Sequence, residues 1–254
     1  MLLEGKKGLI LSVTNKNSIG WAVAEMAVQM GAEVGIGAQN EDTLRRVEKL
    51  IEDQPKMKAF VCDFSSDEEL EKLVKDVEET YGKIDFLVHS AAFANKNELD
   101  GQYMNTSRDG FHLAMDISCY SLVVLCRMLE PLMNDDASVV TMSYLGSTRA
   151  VGNYNVMGVA KAALEASVRY LACDMGGRGI RVNTVSPGPI NTISARGVKG
   201  LMGMIDYVYD RAPLKREYGQ VETAKTTMYL LSDLSHGVSG QIIFVDSGYN
   251  IVGL

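Results

Sequence analysis

The chain has 254 residues, 46% apolar and 22% charged, so it can bury a sizeable core and has no disordered bias. A net charge of −7 argues against nucleic acid or an anionic membrane as the main partner. The cysteines (62, 119, 126, 173) and histidines (89, 112, 236) are too scattered for a metal site, and the cysteines read as free core thiols in a reducing cytoplasm.

Apolar runs predict strands near 7–13, 33–38, 58–62, 84–89, 137–143, 180–186 and 241–245. Helical periodicity fits 19–31, 41–53, 66–81, 108–133, 155–176 and 222–232. Alternating β and α predicts a single α/β domain over 1–254, a Rossmann-like doubly wound parallel sheet of about seven strands with helices on both faces. The last strand is apolar enough to be central. The apolar run at 8–13 is too short for a signal sequence, and no run approaches membrane-spanning length.

In such sheets ligands bind at the carboxyl ends of the strands. The first strand leads through Leu11-Ser12-Val13-Thr14-Asn15-Lys16-Asn17-Ser18-Ile19-Gly20 into a helix. Small residues there let backbone N–H groups approach a pyrophosphate, although Ser12 stands where a glycine is usual and Asn15 and Asn17 equally suit a plain turn. The second strand ends at Gln39, neither an acidic reader of a ribose hydroxyl nor a basic reader of a 2′-phosphate, which favours NADH over NADPH. Asp63, after the third strand, either accepts from an adenine amino group or caps the next helix. Ser90, Ala91, Ala92 and Ala94, after the fourth, leave room for a flat ring or for tight packing.

The fifth strand opens onto Ser143-Tyr144-Leu145-Gly146 and then the helix carrying Tyr154 and Lys161. Seven residues are two helical turns, so the phenol and the ammonium share a face about 10 Å apart. The lysine charge is expected to lower the phenol's pKa. The plain alternative is a half-buried tyrosine and a solvated lysine. After the sixth strand, Ser186-Pro187-Gly188-Pro189 is a rigid turn that can bring backbone groups to a carboxamide and the Thr192 hydroxyl to a phosphate. The apolar stretch from Ser194 to Tyr209 reads as a lid over a hydrophobic substrate, or as a subunit interface.

Several motifs carry a resemblance over most of the chain: Asp116-Ile117-Ser118 with Tyr120-Ser121, Ser143-Tyr144-Leu145-Gly146, Asn153-Tyr154-Asn155-Val156-Met157-Gly158, Gly188-Pro189-Ile190 with Thr192, and Val245-Asp246. With them the chain resembles a short-chain dehydrogenase/reductase, and more narrowly the bacterial NADH-dependent enoyl-acyl-carrier-protein reductases of type II fatty acid synthesis. Ketone-reducing members place their tyrosine four residues before the lysine, where this chain has Met157. Moving the phenol three residues shifts its attachment about 4.5 Å along the helix. That displacement suits conjugate reduction, in which hydride goes to Cβ while charge appears on the thioester oxygen.

The resemblance implies catalytic roles for Tyr144, Tyr154 and Lys161. It implies cofactor contacts at Ser12, Ser18, Ile19, Gln39, Asp63, Phe64, Ala91 and Lys161, and along Ile190, Asn191, Thr192, Ile193 and Ser194. The acyl substrate is expected against Ala94, Tyr144, Tyr154, Met157 and Leu201 of the lid. It further implies NADH, an acyl-carrier protein bearing the enoyl thioester, a cytoplasmic homotetramer, and no metal, nucleic acid or membrane. Arg196, Lys199, Arg211, Lys215 and Arg216 are the cations near the lid for docking an acidic carrier. Alternatives are a reductase for another conjugated or ketonic small molecule, or a non-catalytic NAD(H) sensor.

Overall fold

The computed structural model describes residues 1–216 and 218–253. Its strands are β1 (Lys7–Leu11), β2 (Glu33–Ala38), β3 (Met57–Val61), β4 (Ile84–His89), β5 (Met133–Met142), β6 (Arg181–Pro187) and β7 (Ile242–Val245). All pair in parallel, in the order β3-β2-β1-β4-β5-β6-β7. The helices are α1 (Ile19–Gln29), α2 (Glu41–Ile51), α3 (Asp67–Tyr81), α4 (Lys96–Leu99), α5 (Arg108–Met115), α6 (Ser121–Leu129), α7 (Asn155–Met175), α8 (Leu201–Arg211) and α9 (Gln220–Leu231).

Strand periodicity divides the core. Leu9 and Leu11 of β1 point to one face and pack with Leu70 of α3, Leu122 and Leu125 of α6, and Leu164 of α7. Ile10 points to the other face and packs with Trp21, Ala24 and Ala27 of α1 and Met228 of α9. Each such fully buried leucine or isoleucine side chain contributes about 2 kcal/mol. Short polar residues start the helices: Trp21 N–H donates to Ser18 Oγ (3.1 Å), Thr43 N–H to Asn40 Oδ1 (2.9 Å) and Glu69 N–H to Ser66 Oγ (3.2 Å). The chain builds outward through β2 and β3, then crosses back to place β4 beside β1. Strand order reverses there, so a crevice opens beyond Leu11 and His89.

Several expectations are corrected. β7 is an edge strand, paired with β6 alone among the described residues and half-buried along its length, because the strand order places it at the margin of the sheet. β1 stops at Leu11 because Ser12 turns to a left-handed φ of 68°. The helix expected over 108–133 is α5, a π turn at Asp116–Tyr120, α6 and a 3₁₀ turn at Glu130–Leu132. That continuous run, Arg108–Leu132, is by length and composition apolar enough to cross a bilayer, but its apolar residues Leu122, Val124, Leu125 and Leu129 lie in the core of this fold. Finally, Cys62, Cys119 and Cys126 are buried as expected, whereas Cys173 is exposed. Its position on α7 faces away from the sheet.

β5 also starts earlier than the sequence predicts. Met133 pairs with Ile84, the chain bulges through exposed residues with Asp136 at a φ of 63°, and pairing resumes at Ser138 with Phe86. Arg178 clamps the detour, donating to Met133 O (2.6 Å), Glu130 Oε1 (2.7 Å) and Asp135 Oδ1 (3.0 Å).

Candidate functional site

A cavity of about 700 Å³ occupies the crevice beyond the strand ends, a size that suits a cofactor with part of a substrate. Ser12, Ser18 and Ile19 form one wall, where the N-terminus of α1 opens onto the space. Ser12 takes a backbone conformation that favours glycine, pinned as its N–H donates to Gly37 O at 3.0 Å. Ser12→Gly is therefore expected to stabilise the fold by roughly 0.5–1 kcal/mol, the left-handed strain relieved less the entropy glycine adds to the unfolded chain. A urea midpoint that rises at constant slope would show this; an unchanged or lower midpoint would refute it.

Opposite lies the cavity-facing side of α7. Lys161 is 4% exposed, and its Nζ donates to Met142 O (2.7 Å) and Ala91 O (3.3 Å). Burial pushes its pKa down to about 8, opposed by Cys119 and Glu165. Solvated it is not. Tyr154 is half-buried at the start of α7, and its ring meets Tyr144 edge-on with centroids 4.9 Å apart. The expected lowering of its pKa is overturned: burial, with Tyr144 and Glu165 adding, pushes it well above the usual phenol range. Tyr154 therefore stays protonated across the working pH range and is able to donate a hydrogen bond. Tyr144 is likewise pushed up to about 12, chiefly by burial.

Two close approaches admit these rings. A Cβ at Gly146 would sit 2.5 Å from Tyr154 Cδ1, and one at Gly158 would sit 2.7 Å from Gly146 O, so the loop lies directly on α7. Asn153 and Asn155 flank the tyrosine with φ of 60° and 33°. Asn153 Nδ2 donates to Lys199 O (3.0 Å), and Asn155 Nδ2 to Leu99 O (3.1 Å) and Gly101 O (3.2 Å), so Tyr154 is stapled to both rims of the cavity. Met157, one turn on, is buried with Ser118 Oγ 3.6 Å from its sulfur.

The remaining wall comes from the turn after β6 and the segment beyond. Ile190, Thr192, Ile193 and Ser194 line the cavity, and Thr192 Oγ1 accepts from Ala195 N–H (3.1 Å). The expected lid includes α8 and is split in direction. Val198, Leu201 and Met204 face the cavity beside Ala94, Tyr144, Tyr154 and Met157, while Met202, Tyr207 and Tyr209 are exposed. Lys199 Nζ lies 3.4 Å from Asp100 Oδ2, tying this segment to the opposite rim. Of the other cations expected to dock a carrier, Arg196 donates to Asn191 Oδ1 (2.8 Å), Arg211 lies over the Tyr207 ring (3.6 Å), and Lys215 donates to Asp210 O (2.5 Å).

Five sequence-predicted cofactor residues lie outside this lining: Gln39, Asp63, Phe64, Ala91 and Asn191. Gln39 is exposed beyond β2, and Asn191 is exposed and bonded to Arg196. Ala91 contributes its carbonyl to Lys161. Asp63 Oδ1 accepts from Ser65 N–H (2.9 Å) and Ser65 Oγ (2.7 Å); the helix cap is Ser66, which corrects that alternative for Asp63. Phe64 packs edge-on against His89, 5.6 Å between centroids. Sequence reasoning assigned no role to Ser143, Glu165, Asn153, Asn155 or His89. Glu165 was legible as the carboxylate four residues after Lys161 on one helix.

These residues fit an anionic dinucleotide. A helix N-terminus opens onto the cavity, a buried ammonium stands across it, and Ser90 Oγ, buried without a partner among the described residues, lies in the wall between them. The family model described as enoyl-(acyl carrier protein) reductase matches residues 13–250. The chain is 45% identical to the enoyl-[acyl-carrier-protein] reductase [NADH] 1 of Rhizobium meliloti, over 100% of this chain and 93% of that protein. The enoyl-acyl-carrier-protein reductase of Anaplasma phagocytophilum, solved with NAD, superposes with a TM-score of 0.96 at 41% identity, covering 100% of this chain and 97% of that one. That of Bacillus cereus, solved with NADP+ and an indole naphthyridinone, gives 0.97 at 43% identity, with 100% and 99% covered.

Proposed function

The chain belongs to the enoyl-(acyl carrier protein) reductase family, and from that premise we propose that it reduces the trans-2 double bond of enoyl thioesters with NADH, the last step of the fatty acid elongation cycle. One observation carries the proposal: Tyr154, Met157 and Lys161 line the same cavity, with the phenol seven residues before the lysine and a thioether where a ketone reductase needs its acid.

NADH, when bound, would supply the hydride to Cβ, and uptake of one solvent proton at Cα would complete the reduction. Tyr154, half-buried with its phenol pKa raised chiefly by desolvation and therefore protonated, donates a hydrogen bond to the thioester oxygen, where negative charge develops. Tyr144, packed edge-on against it, fixes the direction of that donor. Lys161 holds the ribose hydroxyls, and its charge favours the developing enolate. Ser12, Ser18 and Ile19 receive the pyrophosphate at the N-terminus of α1, and Ile190 to Ser194 the carboxamide and phosphate. Gln39, Asp63, Phe64 and Ala91 complete the nucleotide side. Ala94, Met157 and Leu201 supply the apolar wall for the acyl chain, under a lid at 194–209, and that wall keeps water from the reacting atoms. The neutral Gln39 supports NADH over NADPH.

The enoyl group arrives on an acyl-carrier protein, with Arg196, Lys199, Arg211, Lys215 and Arg216 beside the lid as the cations for its acidic surface. The working assembly is a cytoplasmic homotetramer, a reading supported by the buried free thiols and the half-exposed edge strand β7.

The test is oxidation of NADH with crotonyl and longer 2-enoyl thioesters, for the wild type beside Tyr154→Phe. Wild-type turnover, with kcat reduced about tenfold or more in Tyr154→Phe at little change in NADH affinity, is the expected result. Tight NADH binding without turnover at any chain length would reject the reductase and favour the sensor. Turnover with NADPH only would keep the reaction and overturn the role of Gln39.

A further inference from the structure

Among the described residues, four charged side chains are buried: Lys161, Glu165, Arg181 and Asp246. Arg181 donates to Leu230 O (2.8 Å), Ser232 O (3.3 Å) and Ser235 Oγ (2.6 Å) at the end of α9. Asp246 accepts from Gly248 N–H (3.0 Å), Asn250 N–H (2.8 Å) and Asn250 Nδ2 (3.1 Å). Both are satisfied by the fold. Glu165 differs: 4% exposed, it has no ion pair among the described residues, and its carboxylate accepts from one group, Ser143 Oγ at 2.5 Å. A buried carboxylate held so thinly is costly to the fold.

Its location suggests why it is kept. Lys161 and Glu165 are one turn apart on α7 and grip consecutive residues at the end of β5, Lys161 through Met142 O and Glu165 through Ser143 Oγ. The next residue is Tyr144, whose ring rests on Tyr154. We propose that Glu165 is a positioning residue for the reaction, fixing the Tyr144 segment through Ser143 and keeping Lys161 a cation with its charge. This deepens the reductase reading and rests on it.

Among the described residues, the groups facing Lys161 are Cys119 from the π turn, His89 from the end of β4, and Glu165 from its own helix, while Tyr154 lines the same cavity. Glu165 is the carboxylate among them. Its influence opposes the burial that brings Lys161 down to about 8.

Glu165→Gln keeps an acceptor for Ser143 and removes the charge. The alkaline midpoint of NADH binding, followed by fluorescence, and the side-chain titration of Lys161 in the full-length protein, followed by NMR, are both expected to move about one pH unit toward acid. NADH binding is then about tenfold weaker at pH 9 and unchanged at pH 6. Glu165→Asp should restore both midpoints. Ser143→Ala should leave them in place and lower kcat with little change in KM. Midpoints in Glu165→Gln equal to wild type overturn the electrostatic role; should that variant not fold, an unchanged kcat in Ser143→Ala overturns the positioning role. The two titrations need no thioester turnover, so they stand apart from any failure of the reductase assay.

Discussion

Lys161→Ala is expected to weaken NADH binding at pH 7 by about a hundredfold and to lower kcat/KM by roughly a thousandfold, with a melting temperature within a few degrees of wild type. The binding loss is that of charge-assisted hydrogen bonds to the ribose, about 1.5–3 kcal/mol each. The folding balance is closer. Alanine removes a buried cation whose pKa is depressed from 10.5 to about 8, a desolvation cost of about 3 kcal/mol at pH 7. Against this gain stand the lost hydrogen bonds to Met142 O and Ala91 O and a small void in α7. Fluorescence titration beside a thermal melt separates the two quantities. Wild-type affinity in the variant would remove Lys161 from the cofactor site; a collapse of the melt would show its role to be structural.

The second large effect is at the acid end and belongs to His89. Its ring is fully buried between Thr141 Oγ1 (2.9 Å from Nδ1) and Ser121 Oγ (2.8 Å from Nε2), tying β4 to β5 and α6. Burial first, and the Lys161 charge second, bring its pKa from 6.5 down to about 3. The neutral ring donates to one hydroxyl and accepts from the other. Between those two values the unfolded chain binds a proton that the folded chain refuses, so stability rises with pH and is lost as pH falls. The loss begins near pH 6.5, grows by about 1.4 kcal/mol per unit, and reaches about 3 kcal/mol at pH 4. Urea unfolding from pH 4 to 7 should show this slope in the wild type and a flatter one in His89→Gln. Equal slopes would assign the acid sensitivity elsewhere.

Local patterns in the sequence revealed most of the architecture, because strand and helix periods are written in neighbouring residues. Leu9, Ile10 and Leu11 announce a strand buried on both faces, and the Tyr154–Lys161 spacing with Met157 between them announces the chemistry. What stayed hidden depends on distant packing. The apolar run of β7 resembles a central strand, and its edge position is fixed only by the order in which the other strands pair. The phenol of Tyr154 looked acidified when Lys161 was considered alone; burial, with Tyr144 and Glu165 adding, reverses the sign. Ser12 looked like a damaged fingerprint, yet its backbone takes the left-handed turn that a glycine would take. Glu165 was overlooked because a glutamate four residues after a lysine is ordinarily a solvated helix pair, and only burial makes it unusual.

The π turn at Asp116–Tyr120 limits how this chain can change in length. A π turn holds one residue more than the α-helix it interrupts. On one side of that surplus residue, Ser118 Oγ accepts from Phe93 N–H (3.0 Å) and donates to Phe93 O (3.1 Å); on the other, Ser121 meets His89. A one-residue deletion here would leave an unbroken helix, with every hydrogen bond of its ladder intact, and would rotate α6 by about 100° relative to α5. Ser121 and the core leucines of α6 would then face the wrong way, while any substitution that preserves the count leaves the phase alone. Insertions and deletions are ordinarily tolerated in loops and resisted in regular helices; in this chain the irregular turn inside the helix is the place where residue number itself is under constraint.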